Sequence, residues 1–146
     1  MADEQRILDI IDGLEENFTE QETYRIYIEF CFRFIPRIEH KIPEKLRAHL
    51  AEGYWHAGNV SPQALENARV LIWKYLDSHN LTYAPLRKSA AIRFMHQLFW
   101  DKANTDIWDH FDWCRELLPH LGYKNHTILQ ELEYVLSKAA REGFAA

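Results

Sequence analysis

Apolar residues recur along the chain every three or four positions between short polar breaks, a pattern typical of amphipathic helices. The densest apolar run extends from Thr19 to Ile35, and Thr19 with Glu22 forms a capping box at its start. Alternation in steps of two also fits a half-buried strand. The charged residues favour a helix, because they recur every four positions, at Arg25, Glu29 and Arg33. We therefore expect a helix that is buried everywhere except along this charged line.

The same periodicity predicts six further helices packed around this central one. They are expected over residues 4–17, 43–57, 62–77, 86–100, 105–121 and 125–143. The clearest boundary lies at Gly58, Ser61 and Pro62, where a left-handed helix end is followed by a cap and a helix-starting proline. The predicted fold is all-α: one compact bundle of about seven helices in a single domain over residues 1–146.

Composition narrows the class of protein. Hydrophobic residues make up 47% of the chain and glycine and proline are few, which excludes a disordered chain. The formal charge of −5 argues against nucleic acid as a partner, since such binding needs a basic face. No apolar run is long enough for a membrane span, and the acidic start is unlike a signal peptide, so we expect a cytoplasmic protein. Cys31 and Cys114 fall on apolar faces and are predicted to be buried thiols, with a disulfide as the lesser alternative.

The segment from Asp101 to Glu116 combines acids with tryptophans. Five acids oppose two bases there, and two indoles are expected to point away from the core. As a binding site, this is an aromatic anchor in an acidic field that attracts a basic protein. As ordinary structure, the acids complement the helix dipole and the indoles cover neighbouring elements. The predicted partner-binding residues are Trp108, Asp109, Asp112 and Glu116, extended by Trp113, Trp100 and Asp106.

Three other groups of residues are weaker candidates for a functional site. His49, Glu52 and His56 share one helix stripe and are the alternative metal ligands, but Lys45 lies on the same stripe and no Glu-x-x-His half-site exists. We expect no cofactor. Glu66, Arg69 and Trp73 are expected at a core edge, with Arg69 stacked on the Trp73 indole or with the group forming an interface. His110 is expected to be a core histidine bonded to a carbonyl.

Several short motifs carry a resemblance to a known family. They are F-I-P-x-x-E at 34–39, P-x-x-L at 43–46, G-Y-W-H-A-G at 53–58, A-L-x-x-A-R at 64–69 and S-A-A-I-R at 89–93. In these the chain resembles the all-α immunity proteins of bacterial polymorphic-toxin systems. The resemblance implies a small cytoplasmic protein that binds a cognate toxin and blocks it without chemistry.

The leading hypothesis is therefore a non-enzymatic binding protein, an immunity or antitoxin-like inhibitor of a basic effector such as a nuclease. The first alternative is a metal-dependent helical enzyme that uses the histidines and glutamate of the third helix. The second is a helical adaptor that self-associates through its tryptophan-bearing surfaces. The pattern of residues does not specify an oligomeric state.

Overall fold

The structure is a computed structural model that describes residues 2–49, 61–99 and 106–142. Within these ranges the chain forms α-helices and short 3-10 turns and contains no strand, which confirms the all-α prediction. The helices are α1 (Ala2–Asn17), α2 (Glu20–Ile38), α3 (Glu44–Arg47), α4 (Pro62–Ser78), α5 (Ala90–His96), α6 (Ile107–His120) and α7 (Asn125–Glu142). The 3-10 turns are Glu39–Lys41, Leu86–Lys88 and Gln97–Phe99.

Helix α2 begins at the predicted capping box. The backbone N–H of Glu22 donates to the Thr19 hydroxyl over 3.1 Å, and the Thr19 N–H donates to the Glu22 carboxylate over 2.9 Å. The helix ends three residues later than expected, because Pro36 removes only one backbone hydrogen bond near the end and does not stop the last turn. Pro119 is likewise tolerated in the last turn of α6.

The charged line of α2 attaches this helix to α7. Arg33 and Arg37 donate to the two carboxylate oxygens of Glu131 over 2.5 and 2.7 Å, and the Arg33 guanidinium also lies 4.3 Å from the Tyr134 ring centre. Burial alone would raise the pKa of Glu131, but the two arginines outweigh it, and the pKa is lowered. The line predicted to face water is thus partly a helix–helix contact.

Most of the apolar residues of α2 are buried. Ten of its residues are buried, whereas Arg25 is exposed and Glu29 is half-buried. Phe32, which was expected inside, is half-buried. The main neighbours of α2 are α1, α6 and α7, while α4 packs chiefly on α5 and its 3-10 extension. The expectation that all other helices surround α2 is therefore not confirmed.

The predicted fifth helix is broken into three pieces. Ser89 leaves helical geometry with φ −132°, and Arg93 donates from Nε to its hydroxyl over 2.9 Å. At the other end, the Gln97 carbonyl accepts from the Tyr27 hydroxyl over 2.8 Å, and the Phe99 carbonyl accepts from Arg69. These carbonyls bond to other helices, and the last turn tightens to a 3-10 turn.

The described part of the third helix covers only Glu44–Arg47, and Ala48 and His49 form a turn. Residues 50–57 of the predicted helix, and Gly58 that was expected to end it, lie outside the described residues. Ser61 caps α4 as expected, because its hydroxyl accepts from the Ala64 N–H over 3.2 Å. The buried side chains of the described helices form one connected hydrophobic core.

Removal of the Tyr27 hydroxyl tests a buried hydrogen bond between α2 and the 3-10 turn after α5. Tyr27 is fully buried, so Tyr27→Phe leaves the Gln97 carbonyl without its donor and should destabilise the fold by about 1 to 3 kcal/mol. The matched control is Tyr83→Phe, since Tyr83 is 99% exposed. Urea unfolding measures both, and equal stabilities of the two variants would contradict the role given to this hydroxyl.

Candidate functional site

The acid-rich and tryptophan-bearing region is helix α6 with the residue that caps it. Asp106 is the N-cap, and its carboxylate accepts the backbone N–H of Trp108 over 2.9 Å. Phe111, Cys114 and Leu117 turn into the core. Asp109, Asp112 and Glu116 follow one another at spacings of three and four on another side of the helix. The predicted acidic stripe is therefore present on α6.

Neither tryptophan of α6 is a free anchor. Trp108 and Trp113 are both half-buried and pack against the core, so the expectation that both indoles point away from it is wrong. The Trp108 indole Nε1 donates to a carboxylate oxygen of Asp12 over 2.5 Å, which ties it to α1. Helical periodicity identifies the main buried face of α6, but it cannot show that α1 covers the flank as well.

Arg115 joins the acidic stripe to α1. Its guanidinium donates to Asp112 from Nε over 3.0 Å and from Nη2 over 2.8 Å, and Nη1 lies 3.2 Å from a Glu4 oxygen. Asp112 is half-buried, and its negative charge is balanced by the Arg115 guanidinium. Asp109 and Glu116 remain exposed, with Glu116 3.9 Å from Arg115. These two residues are the acids of the stripe that are most available to a partner.

Helix α1 contributes acids that were not among the predicted site residues. It contains six acids and one arginine, and α6 contains three acids and one arginine. Because the whole chain has a formal charge of only −5, the rest of it carries a small net positive charge. The signal was visible as a dense acid pattern in residues 3–16, but only the packing of α1 on α6 shows that the two sets of acids adjoin.

We use the name acidic seam for the carboxylates along the line where α1 meets α6. Its members are Glu4, Asp12, Glu15, Asp106, Asp112 and Glu116, and we include Asp109, which belongs to the acidic stripe of α6. Several like charges on one surface raise the local negative potential, which attracts cations and basic proteins over a range of about 10 Å at moderate salt.

A cleft of about 160 Å³ opens within the acidic seam. Its apolar walls are Ile11, Leu14, Ile107, Trp108 and Phe111, and its carboxylates are Asp12, Glu15 and Asp106. The volume is near that of a cavity that holds benzene and well below that of a typical small-molecule site. Apolar walls under a carboxylate rim suit a lysine or arginine side chain, whose stem is apolar and whose head is cationic.

The remaining predicted site residues divide between described and undescribed parts of the chain. Trp100, together with Glu52 and His56 of the alternative metal set, lies outside the described residues, while His49 is half-buried in the turn after α3. Across residues 2–49, 61–99 and 106–142, no group of three or more histidine, cysteine or acidic side chains is placed to hold a metal ion. The absence of a metal at the histidine stripe stays a prediction.

The contacts of the Trp73 indole on α4 differ from the predicted stacking with Arg69. The guanidinium above the Trp73 indole belongs to Arg93, 5.5 Å from the ring centre, and His96 meets the same ring edge-on at 5.5 Å. Arg69, which was predicted to stack on Trp73, donates to the Phe99 carbonyl. The sequence could not show this exchange, because Arg93 comes from α5.

Tyr27, Cys31 and Cys114 form a buried polar cluster between α2 and α6. The Tyr27 hydroxyl lies 3.6 Å from Cys114 Sγ, and Cys31 and Cys114 are free, buried thiols, as predicted. Burial raises the pKa of Tyr27 and of Cys31, so neither supplies a nucleophilic anion at neutral pH. His110 Nδ1 lies 2.9 Å from the side-chain oxygen of Gln97. The bond predicted from His110 to a backbone carbonyl stays a prediction.

Two histidines should make the fold sensitive to mild acid. Burial lowers the pKa of both His96 and His110 to about 4, below the ordinary value of 6.5. Each is neutral in the folded state, so its stabilising contribution is complete above pH 6.5 and is lost as the pH falls toward 4. We expect His110→Asn, which keeps a donor toward Gln97, to lessen the fall in unfolding free energy between pH 6.5 and 5.

The matched control for this pH series is His120→Asn, at an exposed position on the same helix. Chemical denaturation at several pH values gives the slope for each variant. An identical slope in the wild type and in His110→Asn would contradict the assignment.

In the part of the chain that the structure describes, no helix is both long and apolar enough to cross a membrane. Comparison of the chain with protein families, with curated proteins and with solved structures finds no match.

Proposed function

We propose that this chain is a non-enzymatic binding protein that neutralises a basic protein effector, such as a nuclease toxin, through the acidic seam. The single observation that supports this most is the meeting of acids from α1 and α6 around a cleft with apolar walls. The resemblance of the sequence motifs to immunity proteins supports the choice of a toxin as the partner. A cytoplasmic location is part of the same proposal.

The exposed acids and the cleft have different tasks in this proposal. Asp109, Glu116 and Glu15 are exposed and speed the encounter with a basic surface, since exposed charges act mainly on the association rate. The cleft receives a lysine or arginine of the effector and slows dissociation, because a buried anchor acts mainly on release. Inhibition then needs only that the occupied effector surface includes its active site.

The proposal differs from the sequence hypothesis in the part played by Trp108. Its indole is a wall of the cleft held by Asp12, rather than an anchor that projects into a partner. The metal-dependent enzyme gains no support from the described contacts, since the only described member of its ligand set is His49.

Charge reversal on α6 tests the surface. Asp109→Lys/Glu116→Lys places two cations on the acidic seam, and we expect the association rate with the effector to fall by about tenfold or more and to lose most of its salt dependence. The wild-type chain and the variant serve as bait in an extract of the source cells, and the basic protein retained by the wild type is then purified. Its association rate with each chain is measured by surface plasmon resonance.

The matched control is Glu39→Lys/Glu44→Lys, which makes the same change of charge at two exposed positions, one in the 3-10 turn after α2 and one at the start of α3. An equal loss in both double variants would indicate a general effect of net charge. The proposal would be contradicted if the wild type binds no basic protein, or if the α6 variant has the same association rate as the wild type.

Replacement of Trp108 should affect both folding and binding. Because the indole packs on the core and bonds to Asp12, we expect Trp108→Ala to lower the unfolding free energy by about 2 to 4 kcal/mol. It should also weaken effector binding, since it removes a wall of the cleft.

Trp108→Phe keeps an aromatic wall but loses the indole N–H that bonds to Asp12, together with part of the ring volume, so it should cost less stability than Trp108→Ala. Thermal unfolding measures the loss of stability in both variants, and equilibrium binding measures their affinity for the effector. Full stability of Trp108→Ala would show that the indole is not packed as described.

A further inference from the structure

The outer face of α4 is an exposed apolar patch on a part of the molecule that the proposed function does not use. Val70 is 44% exposed, Leu71 43% and Trp73 39%, and all three lie within four positions of the chain. Beside them is an open groove of about 420 Å³ lined by Glu66, Arg69, Val70, Trp73, Lys74, Asp77 and His96. Contiguous exposed apolar side chains of this kind mark interaction surfaces.

The Trp73 indole is already ordered on this face. Arg93 lies over its ring and His96 meets its edge, so little side-chain freedom remains to be lost when the exposed part of the ring is covered. Two charged groups of the groove also have partners within the chain, since Arg69 donates to the Phe99 carbonyl and Asp77 accepts from the Thr82 hydroxyl. They contribute to the shape of the groove more than to its net charge.

Glu66, Val70 and Lys74 are spaced by four and form one ridge along α4. All three are exposed, and among the described residues neither Glu66 nor Lys74 has an ion-pair partner. The ridge therefore has an anion at one end, an apolar residue in the middle and a cation at the other end. Such a pattern is complementary to itself when it is reversed.

We propose that a second copy of this chain docks on the α4 face in an antiparallel two-fold arrangement centred on Val70. Packing of i±4 ridges against each other is the commonest way in which two helices meet. In that arrangement Glu66 of each protomer lies beside Lys74 of the other, and two Val70 side chains meet at the centre. Symmetry makes both ion pairs at once, as an isologous dimer interface requires.

The expected dimer is concentration-dependent. Three apolar side chains on one helix per protomer form a small interface at the weak end of the range for stable complexes. The pairing uses residues of α4 only and no member of the acidic seam. The inference therefore stands or falls separately from the proposed function.

Sedimentation velocity over a range of concentrations tests the pairing with a charge swap. Glu66→Lys and Lys74→Glu each create two like-charge contacts per dimer, and each should raise the dimer dissociation constant by about tenfold or more. The double variant Glu66→Lys/Lys74→Glu exchanges the two charges and should restore the dissociation constant to within about threefold of the wild-type value. Circular dichroism verifies that each variant folds.

The control for a general charge effect is Glu142→Lys, at an exposed position of α7, which should leave dimerisation unaltered. Three outcomes would overturn the inference: a wild-type chain that stays monomeric at every concentration, single variants that dimerise like the wild type, or a double variant that stays as weak as the single ones. The first would leave the α4 face to a different protein, and the third would exclude the register centred on Val70.

Discussion

The contact between α1 and α6 is the constraint on which the acidic seam depends. The two helices are far apart in the sequence, and both carry an excess of acids, so they would repel each other without compensation. Arg115 lies between Glu4 and Asp112 and offsets part of this repulsion, while the Trp108 indole is fastened to Asp12. The cleft exists because these contacts hold the two helices side by side, so that apolar residues of both helices form its walls.

The interior and the surface of the molecule use polar groups in different ways. Inside, the Tyr27 hydroxyl and the His110 ring are held near Gln97 as neutral groups, and burial shifts each pKa away from the charged form. They link α2, the turn after α5, and α6 without placing a charge in the core. The charges are concentrated outside, where they can act on a partner at a distance.

What could be predicted from the sequence is mainly what is local along the chain. The capping box at Thr19 and Glu22 and the helix start at Ser61 depend on residues three positions apart, so both partners are visible together. The interruption of the fifth helix could not be foreseen, because Tyr27 and Arg69 bond to its carbonyls from distant helices. The candidate site also has a part that is local in the sequence and a part that depends on tertiary contacts. The acids of α6 were readable as a stripe, whereas the position of Trp108 and the contribution of α1 depend on tertiary packing.

The central claim is that an effector covers the surface where α1 meets α6. Hydrogen–deuterium exchange of the chain with and without its purified basic partner tests this most directly, because it reports each helix separately without substitutions. We expect slower exchange in peptides from α1 and α6, with α3 and α4 unaltered. Protection confined to α4 or to the outer side of α7, with α1 and α6 unaltered, would contradict it.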